Sequence, residues 1–221
     1  MSWAPLILSF EVAAIATLLA GALGAGLAGA MARARFPGRD LLEVAITAPM
    51  VLPPTVLGYY LLIVLGRESA LGRVYEAVLG APLVFTPAAA VLAATLGALP
   101  FVVKSARAAM EDVDPALTGA AATLGASPLR VFFTIVLPLS RNGLLAGLTL
   151  GFARALGDFG VTLMVAGNLP GHTQTGALAI YDAVQAGRDA DAAGMAAVMS
   201  AVAVVALYAG TKLVRRRTPA F

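Results

Sequence analysis

The run VAAIATLLAGALGAGLAGAMA, residues 12–32, carries no charge and a single hydroxyl, that of Thr17. Wound as a helix at 1.5 Å per residue it would measure about 30 Å, the thickness of a bilayer's hydrocarbon layer. Three more uncharged runs reach the same length, residues 44–66, 77–103 and 192–211. A fifth, residues 142–168, is long enough but is interrupted by Arg154 and Asp158. These runs predict an all-α fold, a polytopic bundle of about five transmembrane helices in one domain. The spans are expected at about 10–32, 43–66, 82–104, 139–166 and 191–212, with a further short or re-entrant helix possible near 175–184.

Composition agrees. The chain has 221 residues, 60% of them hydrophobic and only 12% charged, against about a quarter charged in soluble domains. Mean hydropathy is +0.88. A water-soluble protein of this size could not hide so much apolar surface, so membrane lipid is the expected solvent. There is no cysteine and one histidine, which excludes disulfides, thiol chemistry and Cys-ligated metal. No metal site and no cofactor is expected. The first run lacks a basic n-region and Glu11 precedes it, so it reads as a retained helix and not as a signal peptide.

Basic residues give the orientation. Arg33, Arg35 and Arg39, then Lys104, Arg107, Arg130 and Arg141, then Lys212, Arg215, Arg216 and Arg217 fall on one side and make eleven of the fifteen. The opposite loops hold Arg67, Arg73 and Arg188. The bias predicts an external N-terminus and a cytoplasmic C-terminus. It also accounts for the pI near 9.6 without nucleic acid as a partner.

The cytoplasmic segment 105–141 is punctuated like two short helices. Asp114-Pro115 is an N-cap followed by proline at the first helical position. Gly125 is a natural helix end, Ser127-Pro128 a second start, and Pro138 the bend at which the chain re-enters the bilayer. The first helix is too short and too small in its side chains to be stable alone. Leu117, Ala121 and Leu124 share one face at i, i+4, i+7, as suits a helix lying in another protein's groove; an ordinary structured loop would look similar.

The pattern Gly119-Ala120-Ala121, three residues, Gly125, nine residues, Ile135-Val136-Leu137-Pro138 resembles the EAA loop of ABC importer permeases. Only the first position departs, with Gly119 in place of glutamate. The resemblance implies a type I ABC importer permease fold (MetI-like) in which the loop docks on ATP-hydrolysing subunits. Its coupling residues would be Pro115, Leu117, Gly119, Ala120, Ala121, Leu124, Gly125, Ile135, Leu137 and Pro138. Two further stretches, residues 49–60 (PMVLPPTVLGYY) and 157–168 (GDFGVTLMVAGN), with Thr173-Gln174-Thr175 and Ala179-Ile180-Tyr181, look like molybdate permeases. Sulfate and thiosulfate permeases share the Gly-acidic-Phe-Gly element and are the alternative. The family implies a bacterial inner-membrane complex of two copies of this chain, two cytoplasmic ABC ATPase subunits and an extracytoplasmic oxyanion-binding protein. Molybdate or tungstate is the implied cargo.

The residues themselves are compatible with a pathway. Pro53 and Pro54 donate no backbone hydrogen bond, so Pro53, Pro54 and Thr55 border backbone that at membrane depth must be buried in protein or line a wet cavity. A kinked packing helix would explain them too. Arg154 lies about 20 Å along a helix from Arg141, and Asp158 is four residues on, on the same helical face. Intramembrane charges usually point inward; the two read as a structural ion pair or as an anion attractor moderated by a carboxylate. His172 and Arg188, Asp189 and Asp191 read as external loop residues, Trp3 as an interfacial anchor, and Tyr59 and Tyr60 as anchors or packing aromatics. No Gly-x-x-x-x-Gly-Lys-Ser/Thr phosphate loop occurs, so ATP is expected to be hydrolysed on the partner and no catalytic residue is assigned. An ion-coupled secondary transporter would show paired repeats, and an intramembrane enzyme a cluster of reactive side chains; neither pattern is seen.

Overall fold

The computed structural model describes residues 3–33 and 36–215, and its regular structure is all helical. Arg35, Arg216 and Arg217 of the basic bias lie outside the described residues. Among the described residues three helices are long and apolar enough to cross a membrane: α1 (Ala4–Arg33), α5 (Pro87–Glu111) and α12 (Asp189–Arg215). Two bent pairs bring the number to five if each counts as one span. One is α2 (Arg39–Val51) with α3 (Pro54–Leu65), bent by 119°; the other runs through residues 128–139 into α9 (Arg141–Leu156), bent by 73°.

The apolar run 44–66 is therefore not a single rod. Leu52 precedes Pro53 and is driven to extended backbone, φ −66° and ψ 140°, because the proline ring clashes with a helical predecessor. Pro54 then opens α3 at its first position, where a missing N–H costs nothing. Pro49, by contrast, sits inside α2 without ending it. The run 77–103 also divides. Its first residues belong to α4 (Ala70–Leu79), capped by Ser69, whose Oγ accepts from Gly72 N at 2.8 Å. α5 starts at Pro87, where Thr86 Oγ1 accepts from Ala89 N. Leu71, Val74 and Val78 of α4 stay exposed on one side, the arrangement of a helix lying along a membrane surface.

α5 is the central element, with 56% of its apolar window buried against 11% for α12. It packs on α1, α9 and α10 (Gly160–Ala166). The contact layer is built of alanines: Ala13, Ala16 and Ala20 of α1 and Ala89, Ala90, Ala93, Ala94 and Ala98 of α5 are fully buried. In lipid, helices associate through close packing of small residues, since there is no hydrophobic drive between them. At the α5–α9 seam the approach is so close that glycine is required. A Cβ at Gly147 would stand 2.9 Å from Val102 Cα and 3.2 Å from the Phe101 carbonyl oxygen, backbone atoms that cannot yield. A short helix, α11 (Gly176–Gln185), occupies the segment near 175–184; it is tied to α1 where Ser9 Oγ accepts from Gly176 N at 2.7 Å.

The seam is testable. Gly147→Val should destabilise the detergent-purified protein by about 2 kcal/mol or more, the usual cost of overpacking. Gly26→Ala, whose Cβ would meet nothing within 4 Å, should melt near wild type. Equal melting temperatures for the two variants would contradict this packing.

Candidate functional site

The segment between α5 and α9 folds as α6 (Pro115–Thr123), α7 (Pro128–Val131), a π turn (Phe132–Val136) and α8 (Leu137–Leu139). Asp114 Oδ1 accepts from Ala116 N at 2.8 Å and starts α6. At its end Gly125 adopts φ +80°, Gly125 N donates to Ala122 O and Ala126 N to Ala121 O, both at 3.0 Å. This is a Schellman motif, which satisfies the last carbonyls and needs glycine at the left-handed position. Ser127 Oγ accepts from Arg130 N and opens α7.

α6 itself contributes no buried side chain. Leu117 is 48% and Leu124 88% exposed, while Ala121 and Ala126 lean on the cluster that contains Met31, Ile46, Val103 and Met110. Pro115, Gly119 and Ala120 are exposed. A Cβ at Gly119 would meet nothing within 4 Å, so nothing in this chain demands glycine there. Ile135 and Leu137 pack on the same cluster and Pro138 is exposed. The bend falls not at Pro138 but at Ser140, φ −85° and ψ 4°. The π turn explains the delay: Leu137 N bonds Phe132 O, five residues back, and this wider turn admits the proline ring where an α-helix would clash.

The charged pair sits at a second break. α9 ends at Leu156 and α10 begins at Gly160, so Arg154 and Asp158 do not share one helix as their spacing implied; Asp158 lies in the interruption. Its carboxylate is 2% exposed and fully engaged. Oδ1 takes Arg154 Nη1 at 2.9 Å, and Oδ2 takes Thr162 N at 3.0 Å and Thr162 Oγ1 at 2.7 Å. The arginine thus neutralises a buried carboxylate, which in turn caps α10. The guanidinium lies across Gly97 of α5, with Cζ and Nη2 3.5 Å from where a Cβ would be.

The two breaks meet. Gly160 packs on Pro54, where a Cβ would come within 2.7 Å of the proline Cβ, and Gly58 packs on Met164. Pro53, Pro54 and Thr55 remain exposed beside this contact, and Gly160 follows Asp158 by two residues. Sequence reading did not single out Thr162, since a threonine in an apolar run gives no local signal. Nor did it assign roles to Asn168, Gln174 and Asp182, which bond one another at 2.7–3.0 Å and fasten α11 to the exit of α10. His172 is exposed on the same loop.

With this geometry in view, comparison with known proteins is decisive. A family of binding-protein-dependent transport system inner membrane components matches residues 7–218. The chain belongs to that family. It is a multi-pass inner-membrane transport component, and the ATPase is a separate subunit. The molybdenum transport system permease protein ModB of Escherichia coli K12 is 40% identical over 215 residues, covering 96% of this chain and 93% of that protein. ModB of Haemophilus influenzae is 45% identical over 178 residues, 80% of this chain and 78% of its own. Among solved structures, the MetNI methionine ABC transporter in inward-facing conformations aligns with a TM-score of 0.74 at 16% identity, over 97% of this chain and 95% of that one. A bacterial alginate ABC transporter bound to its pentasaccharide-loaded periplasmic protein aligns at 0.76 and 15% identity, over 98% and 80%. The fold is that of ABC importer permeases.

Arg154→Leu should lower stability by about 2 kcal/mol, less than for a fully buried pair because the guanidinium is 29% exposed. Adding Asp158→Asn, which removes the orphaned charge, should recover part of the loss. Thermal unfolding of both variants in detergent measures this; a double variant no more stable than Arg154→Leu alone would sink the ion-pair account.

Proposed function

We propose that this chain is the permease of a molybdate importer, with tungstate as a cargo of the same shape and charge. What carries the cargo assignment is the 40% identity to a molybdenum permease along 96% of the chain. Two copies would enclose the pathway, two ATPase subunits would bind on the cytoplasmic side, and an external binding protein would deliver the oxyanion. The basic bias supports an external N-terminus and a cytoplasmic C-terminus. On that orientation the loop carrying α6 lies in the cytoplasm.

Coupling follows from α6. Its ends are closed by Asp114 and by the Gly125 motif, so no backbone group need be met by the partner. Its exposed Leu117 and Leu124 can then enter a groove on the ATPase. Gly119 removes one carboxylate from that contact and leaves the apolar face unchanged. ATP binding would draw the two ATPases together, and α6 would carry that movement to α5 and α9.

Pro53, Pro54, Thr55, Arg154 and Asp158 are the proposed pathway residues. Arg154 has donors beyond the Nη1 that bonds Asp158, and these could greet a dianion. Asp158 holds the net charge of the pair at zero, which lets the anion leave.

Reconstituted with its ATPase and binding protein, the complex should take up molybdate on ATP addition. A tenfold excess of sulfate should compete poorly; strong competition would favour the sulfate reading. Ala121→Trp and Gly125→Val should cut uptake at least tenfold while the chain still inserts in membranes. Normal uptake in both would remove α6 from the coupling path.

A further inference from the structure

Four charged residues join α2 to α5 at the ends nearest the coupling loop. Arg107 donates from Nη1 to Glu43 Oε2 at 2.7 Å and from Nε to Glu111 Oε1 at 2.7 Å; Arg39 Nη2 donates to the same Glu111 oxygen at 3.4 Å. Arg107 is the hub, and its side chain is only 19% exposed, which sets it apart from ordinary surface pairs. Beneath it Ile46 of α2 packs among Val103, Ala106 and Met110 of α5.

Local helix energetics do not account for these charges. Arg39 is the first residue of α2 and Glu111 the last of α5, so each sits at the end of its helix whose dipole repels it. The Arg107–Glu111 pair has the basic residue first, the weaker order for an i, i+4 pair. What the arrangement favours is the link between helices.

Its place in the fold gives the link a use. Glu111 is followed by three residues, Asp112, Val113 and Asp114, and then by α6. α6 buries no side chain fully, so a push on it reaches the spans through its ends and through Ala121, which leans on the cluster that Ile46 of α2 shares with Val103, Ala106 and Met110 of α5. One end is α5. From the network α2 runs to the Leu52–Pro53 break, and α3 beyond it packs on α10.

We propose that Arg107 is a positioning residue for coupling: with Glu43, Glu111 and Arg39 it clasps α2 to α5, so that a displacement of α6 reaches the α2–α3 break directly. The inference rests on the reading of α6 as the ATPase-docking helix. The clasp stays closed through the cycle, and α2 and α5 move as one body.

The test uses the complete complex with its ATPase and binding protein. Spin labels at Leu41→Cys on α2 and Ala108→Cys on α5, both exposed positions, should give one narrow distance distribution without nucleotide and with ATP. That distribution should broaden in Arg107→Gln and in Glu43→Gln. A distance that changes with ATP in the otherwise wild-type labelled protein overturns the clasp. In proteoliposomes, ATP hydrolysed per molybdate imported should rise at least fivefold in either Gln variant, with Arg107→Lys between them and wild type. A Glu43→Cys/Arg107→Cys variant bridged by a short bifunctional thiol reagent should return to within twofold of the wild-type ratio. Wild-type ratios in both Gln variants, or no recovery on bridging, overturn the proposal. If wild-type complex imports no molybdate, the cargo assignment falls, and the label distances still decide the clasp.

Discussion

Inside a membrane a backbone N–H or C=O that leaves its helix finds no water to replace the lost partner. Every interruption in this protein is shaped by that constraint. At the α9–α10 break the replacement is Asp158, whose carboxylate receives the free Thr162 N–H and is itself paired with Arg154. At the α8–α9 break Ser140 Oγ donates back to the Val136 carbonyl at 2.6 Å. At Leu52–Pro53 two of the residues that would have presented free N–H groups, Pro53 and Pro54, are prolines and have none to present. The charged pair that looks anomalous in an apolar run is thus the means by which a break can exist there.

The same scarcity of driving forces explains the small side chains. Alanine and glycine let α1, α5 and α9 approach until dispersion contacts alone hold them. Those contacts leave little tolerance, since several glycines face backbone atoms. This central trio, with α2 clasped to α5, contrasts with α6 and α3, which join it across a turn and the Leu52–Pro53 break. A pump needs both: a frame that does not yield, and levers that can move against it.

Much of this was legible in the residues. The runs around Ala16 and Val202 announce α1 and α12, because hydrocarbon thickness sets helix length. The Asp114-Pro115, Gly125 and Ser127-Pro128 signals place α6 and α7 almost to the residue, since capping is local chemistry. Hydropathy was blind to direction. It counts Val44 to Gly66 as one apolar length and cannot register that Leu52, forced extended by Pro53, turns the chain by 119°. It likewise placed Arg154 and Asp158 on one helical face, when a glycine between them ends the helix and the pair closes across the gap. The Arg39–Glu111 and Arg107–Glu43 contacts were invisible for a different reason: residues 72 and 64 positions apart meet only once the fold exists.

The π turn at Phe132–Val136 holds one more residue than an α turn over the same height, and that surplus acts as a phase setting. The loop elements before it, α6 and α7, are set about 100° from where an α turn would leave them relative to α8, the angular share of one residue. Deleting a single residue there would restore an α register and swing Leu117 and Leu124 to another side of the loop. Lineages that acquire or lose such a residue would re-aim the proposed docking face toward a differently shaped motor, and would repack Phe132, Ile135 and Leu137 on the cluster beneath. Compatibility between permease and motor would then be written in residue count as much as in side-chain identity.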